Sequence, residues 1–133
     1  MNIEPKNPTA KGPADRFTGE VWIDQIAGPK TDGQRANVGR VRFAPGARTA
    51  WHSHAFGQTL HITEGIALLG IRDGTIIEAH PGQTIYTPPG EEHWHGATSE
   101  DVMEHLAVYD TTIDPPAGAT WLEHVSDDDY HRP

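Results

Sequence analysis

Apolar and polar positions alternate along the chain in short runs, and no run keeps a helical repeat over several turns. Runs of β-branched or apolar residues span 20–26, 36–43, 58–63, 66–72, 75–79, 83–87 and 102–109. Turn chemistry bounds them: Gly28-Pro29, Pro45-Gly46, Asp73-Gly74, Pro81-Gly82 and Pro88-Pro89-Gly90. The pattern predicts an all-β chain, an antiparallel double-sheet barrel in one domain. The runs on either side of Asp73-Gly74 predict a hairpin, since that dipeptide accepts the positive φ of a tight turn. A turn or two of helix is expected only near 121–130. Residues 1–16 are polar and carry Pro5, Pro8 and Pro13, so they read as an N-terminal arm ahead of a domain spanning 17–133. Such an arm cannot offset its own ordering entropy unless it docks on the domain or on a neighbour.

Composition narrows the function classes. The length of 133 residues suits one core. Ten Lys+Arg against nineteen Asp+Glu give a net charge of −9, which repels nucleic-acid phosphates and anionic membranes, so neither partner is expected. No apolar run approaches the roughly 18 residues of a spanning helix, and the first twenty residues lack the apolar stretch of a signal peptide. Zero cysteines exclude disulfides, thiolate metal sites and thiol nucleophiles. A cytoplasmic protein is the expectation.

Nine histidines are the compositional anomaly, and seven of them lie between positions 52 and 105. In a strand, His52 and His54 point to one face, and His93 and His95 repeat that spacing while Trp94 points away. Gln58, Leu60 and Ile62 share one face of their run. Met103, His105, Ala107 and Tyr109 share one face of theirs. These segments can thus aim five imidazoles and one amide into a single barrel mouth. Clustered imidazoles cannot all be charged, and neutral imidazole nitrogen is a transition-metal ligand, so a metal site outweighs strand filling. Trp51 and Trp94 alternate with these histidines and should pack outside the pocket or at an oligomer seam. His61 faces away from Gln58 and reads as structural. His80, His124, His131 and the acidic run 126–129 read as solvated.

Gly46, His52, His54, Gln58 and Gly65 resemble the first cupin motif, G-x5-H-x-H-x3-E-x6-G, with Gln58 in place of the glutamate. Gly82, Pro88, Gly90 and His93 resemble the second, G-x5-P-x-G-x2-H, with Ala97 where asparagine is usual. The resemblance implies a single cupin domain, a double-stranded β-helix or jelly-roll barrel, with His52, His54, Gln58 and His93 as metal ligands. The strings around Trp51-His-Ser-His54, Pro89-Gly-Glu-Glu-His-Trp-His95, Lys11-Gly-Pro-Ala-Asp15 and Glu123-His-Val-Ser-Asp127 are similar to small bacterial cupins that include manganese-dependent (R)-selective hydroxynitrile lyases. That likeness favours one Mn²⁺, while the donor types admit Fe²⁺, Co²⁺, Ni²⁺ or Zn²⁺.

Three imidazoles and an amide leave the charge of a divalent ion uncompensated, which favours Lewis-acid chemistry over oxygen activation. His95 is then a candidate general base for a cyanohydrin hydroxyl, or alternatively a fifth ligand or a brace for His93. His105, expected across the cavity from His95, is a candidate to protonate or orient departing cyanide. Thr49 either hydrogen-bonds substrate or fills a strand position. Val41 and Phe43 are expected as apolar wall, and Tyr109 as pocket or core. A small-molecule substrate and a homodimer or homotetramer are the expected partners, with the arm a candidate for crossing between copies. The rival functions are a metal-dependent dioxygenase or isomerase on a small hydroxylated or keto compound, and a non-catalytic ligand-binding cupin.

Overall fold

The computed structural model describes residues 1–131. Its first strands are β1 (Ala10–Lys11), β2 (Phe17–Thr18), β3 (Val21–Ala27), β4 (Ala36–Phe43) and β5 (Arg48–Thr49). There follow β6 (His52–His54), β7 (Gln58–Glu64), β8 (Ala67–Ile71), β9 (Ile76–Ala79), β10 (Thr84–Thr87) and β11 (His93–Ala97). The chain closes with β12 (Met103–Asp110), β13 (Thr112–Ile113), β14 (Pro116–Ala117), β15 (Ala119–Trp121) and the helical turn α1 (Asp127–Tyr130).

Two antiparallel sheets form the barrel. One runs β1-β3-β4-β12-β7-β10; the other runs β15-β6-β11-β5-β2, with β8 on the far side of β11 and β9 beside it. The expected hairpin is present as β8–β9, with Gly74 at φ 92° and the Asp73 carboxylate accepting from the Thr75 N–H at 2.8 Å. Burial along β7 and β12 alternates as the period-two pattern requires, placing Leu60, Ile62, Met103 and Ala107 inside. With Phe17, Val21, Phe43 and Leu69 they make the core between the sheets.

A second apolar cluster lies outside. Trp51 and Trp94 pack there with Val125 and Tyr130. The acidic run is mostly exposed, as expected, and it also anchors the tail. Ser126 caps α1 by accepting from the Asp129 N–H, and Asp127 meets the buried Arg48 guanidinium at 2.8 Å, which also donates to the Val125 carbonyl. A buried cation needs an anionic partner, and the turn supplies it. The helix is confined to this turn; Ala119–Trp121 is instead a strand paired to β6. Residues 10–11 pair with β3 of the same chain, and the Gly12 N–H donates to the Val21 carbonyl, so the arm lies along its own sheet. Among the described residues no helix is long and apolar enough to cross a membrane.

Candidate metal centre and cavity

The strand spacing of the histidines translates directly into convergence. β6 and β11 are paired with His93 opposite His52, and both inward rings of each strand face the barrel interior. β7 and β12, from the other sheet, bring Gln58 and His105 to the same space. His52, His54, Gln58, His93, His95 and His105 are all buried. Ring centroids of His52 lie 5.1 Å from His54, 4.3 Å from His93 and 5.1 Å from His95. The ligand nitrogens of His52, His93 and His95 fall within 4.8 Å of one another. His95 is therefore as much part of the cluster as the residues the motifs point to.

Burial holds these rings neutral. Desolvation, then the neighbouring His93, drives His52 well below the ordinary histidine value, and the same two causes bring His54 down to about 4. Burial lowers His93 and takes His105 to about 4; His95 falls well below normal through burial, then His105 and His52. Neutral imidazoles have one N–H each, and the backbone fixes where it sits. The Ala50 carbonyl, 2.9 Å from His52 Nδ1, and the Glu91 carbonyl, 3.0 Å from His93 Nδ1, each accept a proton there. Each Nε2 is then left as a lone pair. His93 Nε2 stands 3.1 Å from the Gln58 Oε1 atom, a second acceptor, and two acceptors aimed together repel unless a cation serves both. Both His54 nitrogens and His95 Nε2 are buried without a hydrogen-bond partner. The donor set fits a metal ion: His52, His93 and Gln58 by this pairing, His54 by its unpartnered nitrogens.

A model of the cupin domain matches residues 39–109. The chain is a cupin. It is 44% identical over 124 residues, 93% of this chain and 92% of the other, to an (R)-mandelonitrile lyase of Granulicella tundricola. A cupin-like protein of Thermotoga maritima superposes with a TM-score of 0.84 at 32% identity, covering 98% of this chain and 95% of that one. A polyketide cyclase of Streptomyces resistomycificus shares the fold, with a TM-score of 0.69 at 20% identity over 98% and 90% of the two chains.

The cupin encloses a cavity of about 370 Å³ beside the histidines. Val41, Thr49, His95, His105 and Tyr109 line it, as does His54, whose ring lies 4.5 Å from that of Tyr109. Thr49 Oγ1 accepts from the His95 backbone N–H at 3.2 Å, so it braces β11 as well as facing the cavity. Phe43 does not line the cavity. Its register with Val21 and Met103 turns it into the core, where its ring backs His95 at 6.0 Å and His105 at 5.3 Å. His105 is not across the cavity from His95 but against it, with His105 Nε2 2.9 Å from His95 Nδ1. His61 faces outward and meets the Thr84 hydroxyl at 2.9 Å.

Among the cavity residues that escaped the sequence pattern are Trp121 and Arg16. Trp121 stacks on His52 at 4.5 Å and 20° because β15 pairs it with that position. Arg16, from the arm, lies over the Trp121 ring at 5.4 Å. The apolar residue at 121 was visible, but its partner strand lies far back in the chain.

Proposed function

We propose that this cupin is a metal-dependent lyase of the hydroxynitrile type, cleaving or forming the C–C bond between a carbonyl carbon and cyanide. One observation carries the reading: a buried imidazole pair, His95–His105, stands at the wall of a substrate-sized cavity with His95 Nε2 unpartnered. The 44% identity to an (R)-mandelonitrile lyase supports it.

His52, His54, Gln58 and His93 would hold one divalent transition metal, manganese by family likeness, which when bound supplies Lewis-acid polarisation of an oxygen. The chain's own residues do the rest. Val41 and Ala107 offer the organic group an apolar wall, and Thr49 fixes the height of β11. His95 Nε2 accepts the hydroxyl proton; the oxygen's electron pair forms the carbonyl, and the C–C pair leaves with cyanide. The same nitrogen returns the proton, releasing HCN and an aldehyde or ketone. His105 acts through His95: by accepting or donating on the shared N–H it sets which outer nitrogen carries the lone pair.

A second reading makes His95 a ligand, favoured by the 4.8 Å grouping of His52, His93 and His95. The expected homodimer or homotetramer belongs to the same proposal. Exposed Trp22, Tyr86 and Val108 share the outer face of the first sheet and support it.

The test is aldehyde release from mandelonitrile by metal-analysed protein, with and without O₂. Equal, metal-dependent release under both conditions supports the lyase; release that needs O₂ supports a dioxygenase, and tight metal with no turnover a binding protein.

A further inference from the structure

Arginines in this chain are almost all spoken for. Arg35 meets Asp110, Arg40 meets Glu104, Arg42 meets Asp24, Arg48 meets Asp127, and Arg72 meets both Glu92 and Glu123. Among the described residues Arg16 alone of the arginines has no carboxylate within ion-pair distance, in a chain with nineteen acidic residues against ten basic ones. Its place is also particular. It lines the histidine cavity, whose lining includes no aspartate or glutamate and no other lysine or arginine.

The backbone that carries this cation is fixed. The Arg16 N–H donates to the Pro13 carbonyl at 3.0 Å, and its own carbonyl accepts from the Ala50 N–H at 2.8 Å, two residues before His52. The guanidinium lies 5.4 Å from the centre of the Trp121 ring, and that ring stacks on His52. The guanidinium and His52 thus both contact the Trp121 ring, which brings a positive charge close to the histidine cluster. Contact with an aromatic face occupies a guanidinium's plane and leaves its N–H edge for an acceptor. Tyr109, on the cavity wall, also feels the charge: burial raises its phenol above the ordinary value, and Arg16 pulls the other way.

We propose that Arg16 selects substrates that bear a carboxylate at the end remote from the reacting carbon. It rests on the reading of this cavity as a small-molecule substrate site. A planar guanidinium presents paired donors that match a carboxylate, and the histidines and apolar wall contribute no competing anion. The net charge of −9 repels anions in bulk, so away from the metal-ligating histidines a carboxylate gains where this one side-chain cation faces it.

The experiment compares binding of para- and meta-formylbenzoate with their uncharged carboxamides to the metal-loaded protein, by calorimetry. At least one formylbenzoate is expected to bind about fivefold or more tightly than its carboxamide at low salt. That margin shrinks as salt is raised. Arg16→Gln removes it while leaving carboxamide affinity within about twofold, and Arg16→Lys retains part of it. Equal affinities in the wild type, binding of neither pair, or a margin that survives Arg16→Gln overturns the proposal, the last because the carboxylate would then sit on the metal side. Mandelonitrile cleavage separates the two readings: it persists in Arg16→Gln if only this inference fails, and is absent from the wild type if the lyase reading fails.

Discussion

His105 Nε2 and His95 Nδ1 stand 2.9 Å apart, and both rings are buried. One N–H occupies the space between them, so the proton on His95 Nε2 is governed by a residue ten positions away on the opposite sheet. His105→Phe keeps the ring volume and removes that control. Cleavage is expected to fall by about 10- to 100-fold in kcat, with metal content unchanged. After burial itself, His105 is the neighbour that lowers His95 most, so its removal moves the acid limb of the kcat/KM profile to higher pH. A pure packing defect would lower the rate without moving that limb.

Metal content by elemental analysis discriminates ligands from base. His52→Ala and His93→Ala are expected to lose the ion, since each presents a fixed Nε2 lone pair. His95→Ala is expected to keep the ion and lose turnover. If it loses metal as readily as His52→Ala, His95 is a ligand and the base must be sought elsewhere.

Stability of the metal-free protein should depend on acid. His52, His54, His93, His95 and His105 all have folded values below the ordinary 6.5, with His54 and His105 at about 4. Above pH 6.5 neither folded nor unfolded chain protonates them. As pH falls from 6.5 toward 4 the unfolded chain takes up protons that the folded chain refuses, so stability is lost through that window. Each such proton contributes a slope of about 1.4 kcal/mol per pH unit. Denaturant midpoints between pH 8 and 4 (about that range) measure it, and a flat profile contradicts the burial of the cluster.

Gly96 separates His95 from Ala97, and a Cβ there would stand 2.6 Å from both the Ala47 carbonyl oxygen and Arg48 Cβ. Gly96→Ala must push β5 away from β11, carrying Thr49 off the His95 N–H. A loss of about 1–3 kcal/mol in unfolding free energy is expected, with a fall in kcat in the surviving folded protein.

The tail is held by unequal contacts. Tyr130 donates to the Ala97 carbonyl at 2.6 Å, and its ring lies 4.6 Å from the Arg48 guanidinium. Tyr130→Phe is expected to cost about 1–2 kcal/mol in a denaturant melt, as a buried acceptor on the site strand loses its donor. Asp127→Asn should cost less than Tyr130→Phe in the same melt, because that side chain is 83% exposed and its ion pair is screened by solvent.

The sequence alone determined the longer strands, the hairpin at Asp73-Gly74 and the faces of β6, β7, β11 and β12, because period-two geometry and turn chemistry act within a few residues. It therefore showed that His52 and His54 point together, as do His93 and His95, and that Gln58 and His105 face inward. What only the tertiary structure decided are the meetings between sheets and across long stretches of chain. His105 touching His95, Trp121 stacking on His52, Arg48 reaching Asp127 and Arg16 overhanging the cavity all depend on which strand lies beside which. Local propensity carries no record of those neighbours. Phe43 shows the same limit: its face was legible, but whether that part of the face bordered cavity or core depended on Val21 and Met103 arriving beside it.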